Sequence, residues 1–338
     1  MLKSSIMVVV LGGSGVIASC VASAQNIPQP EPKTLETVVV TGRLPGPGLW
    51  QVTNGDKVLW LMGVVSPLPK NMVWDSAEVE AIVAEADEII APGTAEPEIS
   101  ASDMFKMALL ARSAIAATKL PDRKVLQDVL PGPVYARWVV LKKKYMGGDR
   151  KVERSRPMFA SQDLYFSAIS SAGMTRANIV WDRIAEIAET NDVPVTQTLI
   201  KYPLAIDKNA YKTGIAALAE SRIDDHDCFT KTIDGLEADL EIMKRGANAW
   251  AIGNFDMLRR LKYSEVRPAC KQTYDVVMGF QKKPELAGRV SAAWLAASEH
   301  ALQRNKVTFA VLPIDQMIGV DGLIGQLKAL GYVVIEPN

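Results

Sequence analysis

The side chains that could perform metal or acid–base chemistry in this chain are few. His226 and His300 are the two histidines among its 338 residues, which limits the imidazole available to a transition metal. His226 lies in the sequence Asp-Asp-His-Asp at 224–227, directly before an apolar helical pattern. Carboxylates at a helix N-terminus interact favourably with the helix dipole. Capping of that helix is therefore the favoured interpretation, and a metal site is the alternative.

Hydroxyl, carboxylate and amide groups form a second set of candidates. Ser66 would need a general base within hydrogen-bond reach to act as a nucleophile, and no Gly-x-Ser-x-Gly sequence surrounds it. Asp315, Gln316 and Asp321 offer oxygen atoms, which are ligands for hard divalent cations. Asp321 precedes Gly322, so a turn before the last helix is the simpler interpretation. We expect no cofactor, and the alternative is a weakly bound divalent metal.

The cysteines allow one structural cross-link. Cys20 lies in an N-terminal segment that we expect to be removed, which leaves Cys228 and Cys270. In an oxidising compartment these two cysteines have a single intramolecular pairing. We predict a Cys228–Cys270 disulfide, and two buried free thiols are the alternative.

The N-terminal part of the domain must position Ser66. Two apolar and aromatic runs between Leu49 and Met62 flank Asn54-Gly55, a dipeptide typical of tight β-hairpins. An apolar helical pattern follows, and residues 86–90 are predicted to form the next strand. This strand runs into Pro92.

The C-terminal part of the domain repeats this alternation. Val307–Leu312 is a continuous apolar run that predicts a buried strand, and a helix and a last strand at 331–334 follow. Between the two ends, residues 101–304 are mainly helical in period, with a clear apolar stripe from Phe229 to Met243. We predict an α/β fold whose central β-sheet is built from both chain ends. A large helical middle region packs over that sheet.

Both ends of the chain resemble the TraB/GumN family, which includes the Tiki proteases. In that family the second hairpin strand and the matching C-terminal strand end in Gly-x-x-His, whose histidines are proposed metal ligands. A strand between them ends in a glutamate. Here the motifs are Gly-Val-Val-Ser at 63–66 and Pro-Ile-Asp-Gln at 313–316, and Pro92 stands near the glutamate position. The resemblance covers residues 49–337.

The resemblance implies a site at Ser66, Pro92 and Gln316 whose polar groups are degenerate. Loss of the two imidazoles and the carboxylate removes the Lewis acid and the general base. We therefore expect a non-catalytic pseudoenzyme with a cleft for an unidentified peptide, glycan or protein. The alternative is a metal-dependent hydrolase or peptidase with an altered site, which would use oxygen atoms of Asp315, Gln316 or Asp321.

The N-terminus predicts export. Residues 1–24 have the basic start, apolar run and Ala-Ser-Ala end of a signal peptide. Residues 25–48 are rich in proline and are predicted to be a flexible lead-in to the domain at 49–338. We expect a periplasmic protein. The sequence before Cys20 is an imperfect lipoprotein motif, so a lipid anchor at Cys20 is the alternative.

The overall charge argues against a polyanionic partner. Lys plus Arg and Asp plus Glu both total 38, so the formal net charge is zero. Such a balance gives no field that favours nucleic acid. No later run of residues is apolar and long enough to predict a membrane span in the mature chain.

Overall fold

The structure is a computed structural model that describes residues 46–204, 208–219, 225–261, 270, 284–318 and 322–337. The predicted signal peptide, most of the predicted lead-in, Cys20 and Asp321 lie outside these residues. The described residues belong to one unit of the chain.

The strands and helices alternate at the two ends of the chain, and helices dominate between them. The strands are β1 (Leu49–Asn54), β2 (Lys57–Val64), β3 (Leu68–Pro69), β4 (Glu88–Ile90), β5 (Thr94–Glu98), β6 (Met174–Thr175), β7 (Val195–Thr196), β8 (Leu199–Pro203), β9 (Val307–Pro313) and β10 (Val333–Ile335). The helices are α1 (Ala77–Ala84), α2 (Ala101–Ala117), α3 (Leu126–Val129), α4 (Gly132–Met146), α5 (Pro157–Ser171), α6 (Ile179–Thr190), α7 (Lys208–Ala219), α8 (His226–Ala251), α9 (Phe255–Arg260), α10 (Pro284–Arg304), α11 (Ile314–Ile318) and α12 (Leu323–Ala329).

The central sheet has six strands in the order β10-β1-β2-β9-β4-β7. β1 is antiparallel to β2 and β10, whereas β2, β9, β4 and β7 are mutually parallel. The predicted α/β fold, with a sheet drawn from both chain ends, is confirmed. The prediction omitted β7, a two-residue strand from the helical middle that pairs with β4. A strand this short leaves no periodic pattern in the sequence.

The predicted hairpin is present and fixes the register of the first two strands. Asn54 is the partner of Lys57, and Gly55 has a φ of +65°. Positive φ costs glycine little because it has no Cβ atom. The tight turn therefore sets the antiparallel pairing of β1 with β2.

Helices cover both faces of the sheet. Alternate residues of β2 face opposite ways, so Met62 packs with α4–α6 and α8, whereas Leu61 packs with α10 and α12. The predicted apolar stripe of α8, from Phe229 to Met243, is fully buried on the first side. Trp294 of α10 is buried on the second side. In the described part of the chain, no helix is both long and apolar enough to cross a membrane.

The two cysteines of the predicted pair lie together. The Sγ atoms of Cys228 and Cys270 are at the disulfide distance of 2.03 Å, and their Cα atoms are 4.5 Å apart. Cys228 is in the first turn of α8 and packs beside Met158 of α5. The pair therefore connects α8 to the chain segment that follows α9.

We predict that the folded chain carrying Cys20→Ser contains no alkylatable thiol under non-reducing conditions. Replacing both Cys228 and Cys270 by alanine should lower the free energy of unfolding by roughly 4 kcal/mol, because the cross-link closes a loop with a sequence separation of 42. Mass spectrometry after alkylation measures the first effect, and urea unfolding measures the second. Alkylation of either cysteine in the folded chain would contradict the pairing.

Candidate functional site

Two parallel strands from opposite ends of the chain finish at the same edge of the sheet. β2 pairs with β9 from Val58 with Val307 to Val64 with Pro313. The residues that follow each strand, including Ser66, therefore emerge beside one another. The two strands are neighbours in the sheet.

A third parallel strand ends at this edge on the other side of β9. Ile90, the last residue of β4, pairs with Ala310 of β9. Pro92 follows two residues later. The segments that follow β2, β9 and β4 thus contain the three positions that the family resemblance marks, and these strands are neighbours in the order β2, β9, β4.

A cavity of about 1130 Å³ opens at the ends of β2 and β9. Ser66 and Asp315 line it where the two strands end, and residues of α5, α8 and α9 also line it. Both Ser66 and Asp315 are exposed. The structure therefore brings together two of the predicted site residues in one concave surface.

The remaining predicted residues are placed differently. Gln316 is exposed on α11 and is outside the described lining of the cavity. Pro92 is also outside that lining. The next residue, Gly93, packs against α10, since a Cβ atom on Gly93 would lie 2.8 Å from Cγ1 of Val290. Among the described residues, no group of three or more His, Cys, Asp or Glu side chains could hold a metal ion.

Gly63 lets the surrounding helices approach the end of β2. A Cβ atom at this position would lie 2.8 Å from Cε of Met317 and 3.3 Å from Cδ1 of Ile314. The Gly63 carbonyl also accepts a hydrogen bond of 2.6 Å from Nε1 of buried Trp250. The absent side chain thus allows α11 to pack against β2, and the indole fixes α8 at the same edge.

The capping role predicted for the acidic cluster at the start of α8 does not hold for Asp225. Asp225 is the residue before α8, but its side chain makes no capping bond there. Its Oδ2 instead accepts a hydrogen bond of 3.1 Å from the backbone N–H of Met158, near the start of α5. The carboxylate caps a neighbouring helix, which local sequence cannot reveal. His226 and His300 are both exposed, and Nε2 of His300 lies 3.5 Å from Nη1 of Arg304.

Asp225 also forms a buried ion pair. Its Oδ2 lies 3.7 Å from Nε of Arg156, and both side chains are almost fully buried. Burial raises the pKa of the Asp225 carboxyl, and the Met158 N–H, Arg156 and His226 oppose this shift only in part. Desolvation therefore outweighs the attraction of the neighbouring cation.

Sequence analysis missed the cationic and aromatic groups of the cavity. Arg176, in the loop after β6, has its guanidinium carbon 3.9 Å from the centre of the Phe166 ring of α5, and both residues line the cavity. The spacing of Gln162, Phe166 and Ile169 along α5 was the available signal, because these positions share one helical face. The local sequence gave no indication that this face of α5 lines the same cavity as Ser66.

Comparison with known proteins gives one match. The protein-family model described as the TraB/PrgY/gumN family matches residues 48–335. No curated protein and no solved structure matches the chain.

Substitutions at Asp225 should distinguish the effect of its hydrogen bond on stability from the effect of its charge. Asp225→Ala leaves the Met158 N–H without its acceptor and removes the anion beside Arg156, so we expect a loss of about 3 kcal/mol of stability. Asp225→Asn keeps an acceptor, so it should cost less. Urea unfolding of the wild type and both variants at pH 4, 5.5 and 7 measures these differences.

The pH dependence has a defined sign. The pKa of the Asp225 carboxyl is higher in the folded state than its ordinary value of 3.8. The contribution of this carboxyl to the free energy of unfolding therefore falls as the pH rises from the unfolded-state pKa to the folded-state pKa. The loss of free energy of unfolding caused by Asp225→Asn should therefore become smaller as the pH rises above about 4. A penalty that grows with pH would show that the pair with Arg156 dominates instead.

Proposed function

Since the chain belongs to the TraB/PrgY/gumN family, we propose that it is an exported, non-catalytic member of that family. It keeps the α/β fold and uses the cavity at the ends of β2 and β9 to bind a ligand. Export rests on the signal-peptide pattern of residues 1–24. A periplasmic location is compatible with the disulfide distance of the Cys228–Cys270 pair.

The observation that carries this proposal is the donor set at the sheet edge. A hydroxyl from Ser66 and a carboxylate from Asp315 are the predicted site groups that line the cavity. First-row transition metals favour imidazole or thiolate in protein sites. Both histidines are exposed, on α8 and α10, and neither is in the described lining of the cavity. The two cysteines of the domain lie at disulfide distance.

The cavity itself supports a binding role. Its volume of about 1130 Å³ is at or above the usual range for small-molecule sites. Most of its described lining is apolar, with aromatic side chains from α5 and methionines from α5 and α8. Such a surface gains free energy when a ligand displaces water from it.

The alternative of an altered hydrolase makes a structural demand. It needs at least two acidic groups that converge on Ser66, with room for a water molecule or a metal. Asp315 is the acidic group in the described lining of the cavity. Asp321, the other candidate, lies outside the described residues. The donor set therefore favours binding without hydrolysis.

We predict that the purified chain retains no stoichiometric Mn, Co or Zn after dialysis and has no metal-dependent peptidase activity. The described lining offers one carboxylate, that of Asp315, and the hydroxyl of Ser66, which are too few ligands to hold such an ion through dialysis. Elemental analysis should give the same sub-stoichiometric metal content for wild type, Asp315→Ala and Gln316→Ala. Peptide hydrolysis is assayed with and without each added metal.

Asp182→Ala, at an exposed position of α6, is the matched control for removal of a carboxylate. Stoichiometric metal in the wild type that disappears in Gln316→Ala or Asp315→Ala, but remains in Asp182→Ala, would establish the altered hydrolase and reject the non-catalytic proposal.

A further inference from the structure

The inner wall of the cavity is apolar and adaptable. Met158 and Ile169 of α5 and Met243 of α8 line it, and each is at most 3% exposed. Phe166 extends this wall towards the loop after β6. Methionine side chains adjust to ligands of irregular shape because they are unbranched and polarisable. This wall suits an extended hydrocarbon body rather than a rigid polar ring.

One cation of the cavity is held in place and has no acidic partner among the described residues. Arg176 is exposed and stacks on Phe166 at 3.9 Å. Stacking occupies the face of the guanidinium and leaves its N–H edge to donate, which matches the two oxygens of a carboxylate or phosphate. The second arginine of the lining, Arg259, is already bound to Glu336 at 2.9 Å and to Asp256 at 3.5 Å.

The charges also give the ligand a direction. Asp315 lines the cavity from the end of β9, on the sheet side, and its carboxylate disfavours an anion nearby. Arg176 lines it from the loop between β6 and α6. An anionic head group is therefore favoured beside Arg176, with the apolar part of the ligand along α5 and α8.

We infer that the cavity binds a single-chain anionic amphiphile, with a long hydrocarbon chain against Met158, Ile169 and Met243 and a carboxylate or phosphate on Arg176. This inference rests on the proposed function and specifies the ligand class of the same cavity. A fatty acid and a lysophospholipid share this chemistry. They differ in the head group, which the experiment varies.

Chain length is tested first, on the unaltered full chain. Binding of octanoate, dodecanoate and hexadecanoate is measured by isothermal titration calorimetry below their micellar concentrations. Affinity should rise roughly two- to fourfold for each added methylene, with one ligand per chain at saturation. Equal affinities for octanoate and hexadecanoate, or no binding of hexadecanoate, would overturn the inference.

Head-group charge is tested next. Hexadecanoate and hexadecanoyl lysophosphatidate should both bind more tightly than hexadecan-1-ol and hexadecyltrimethylammonium, and the tighter of the two anions identifies the source. Arg176→Met keeps an apolar stem of similar reach and should weaken binding of both anions about tenfold, without changing binding of hexadecan-1-ol. Arg150→Met, at an exposed position outside the described lining, is the matched control and should change neither.

Equal binding of anionic and cationic amphiphiles, or an unchanged affinity in Arg176→Met, would overturn the assignment of the head group to Arg176. These results are separate from the metal and peptidase measurements. A chain that binds no amphiphile and has no metal-dependent activity would disprove the ligand class alone. A chain with metal-dependent activity would disprove the proposed function.

Discussion

The parallel pairing of β2 with β9 is the constraint on which the rest of this fold depends. It joins Val58–Val64 to Val307–Pro313 residue by residue, across almost the full length of the domain. Parallel neighbours cannot be joined by a tight turn, so the intervening chain must form a crossover that packs on the sheet. The helical middle provides this crossover, and both strand ends face one edge as a result.

Contacts at Gly63 carry this constraint into the cavity. Met317 of α11 packs where a side chain at this position would lie, and Trp250 of α8 donates to the Gly63 carbonyl. The end of β2 is thus held by one short helix from the C-terminus and one long helix from the middle. α8 also contributes Met243 to the cavity wall, so a single hydrogen-bonded indole helps to set the distance between the sheet edge and that wall.

Local sequence was sufficient for the hairpin and the long amphipathic helices and insufficient for the site. Asn54-Gly55 specifies a hairpin, and the spacing from Phe229 to Met243 specifies a buried helical face; both signals act over a few residues. Asp225 was misassigned because its acceptor atom serves Met158, 67 positions away in the sequence. Arg176 was missed for the same reason: its importance comes from the Phe166 ring and from the cavity, which exist only after the helices have packed.

The residue that ends β9 affects how the chain enters α11. Proline has a fixed φ and no backbone N–H, so it is tolerated at the start of a helix, where that N–H would have no intrahelical partner. In this chain Pro313 ends β9 and α11 begins at Ile314. Successive helical residues point about 100° apart, and it is Asp315 that lines the cavity, with Gln316 outside its described lining. The helix that begins directly after Pro313 therefore determines which side chain of this segment enters the described lining of the cavity, because it fixes the direction in which Asp315 and Gln316 leave the backbone.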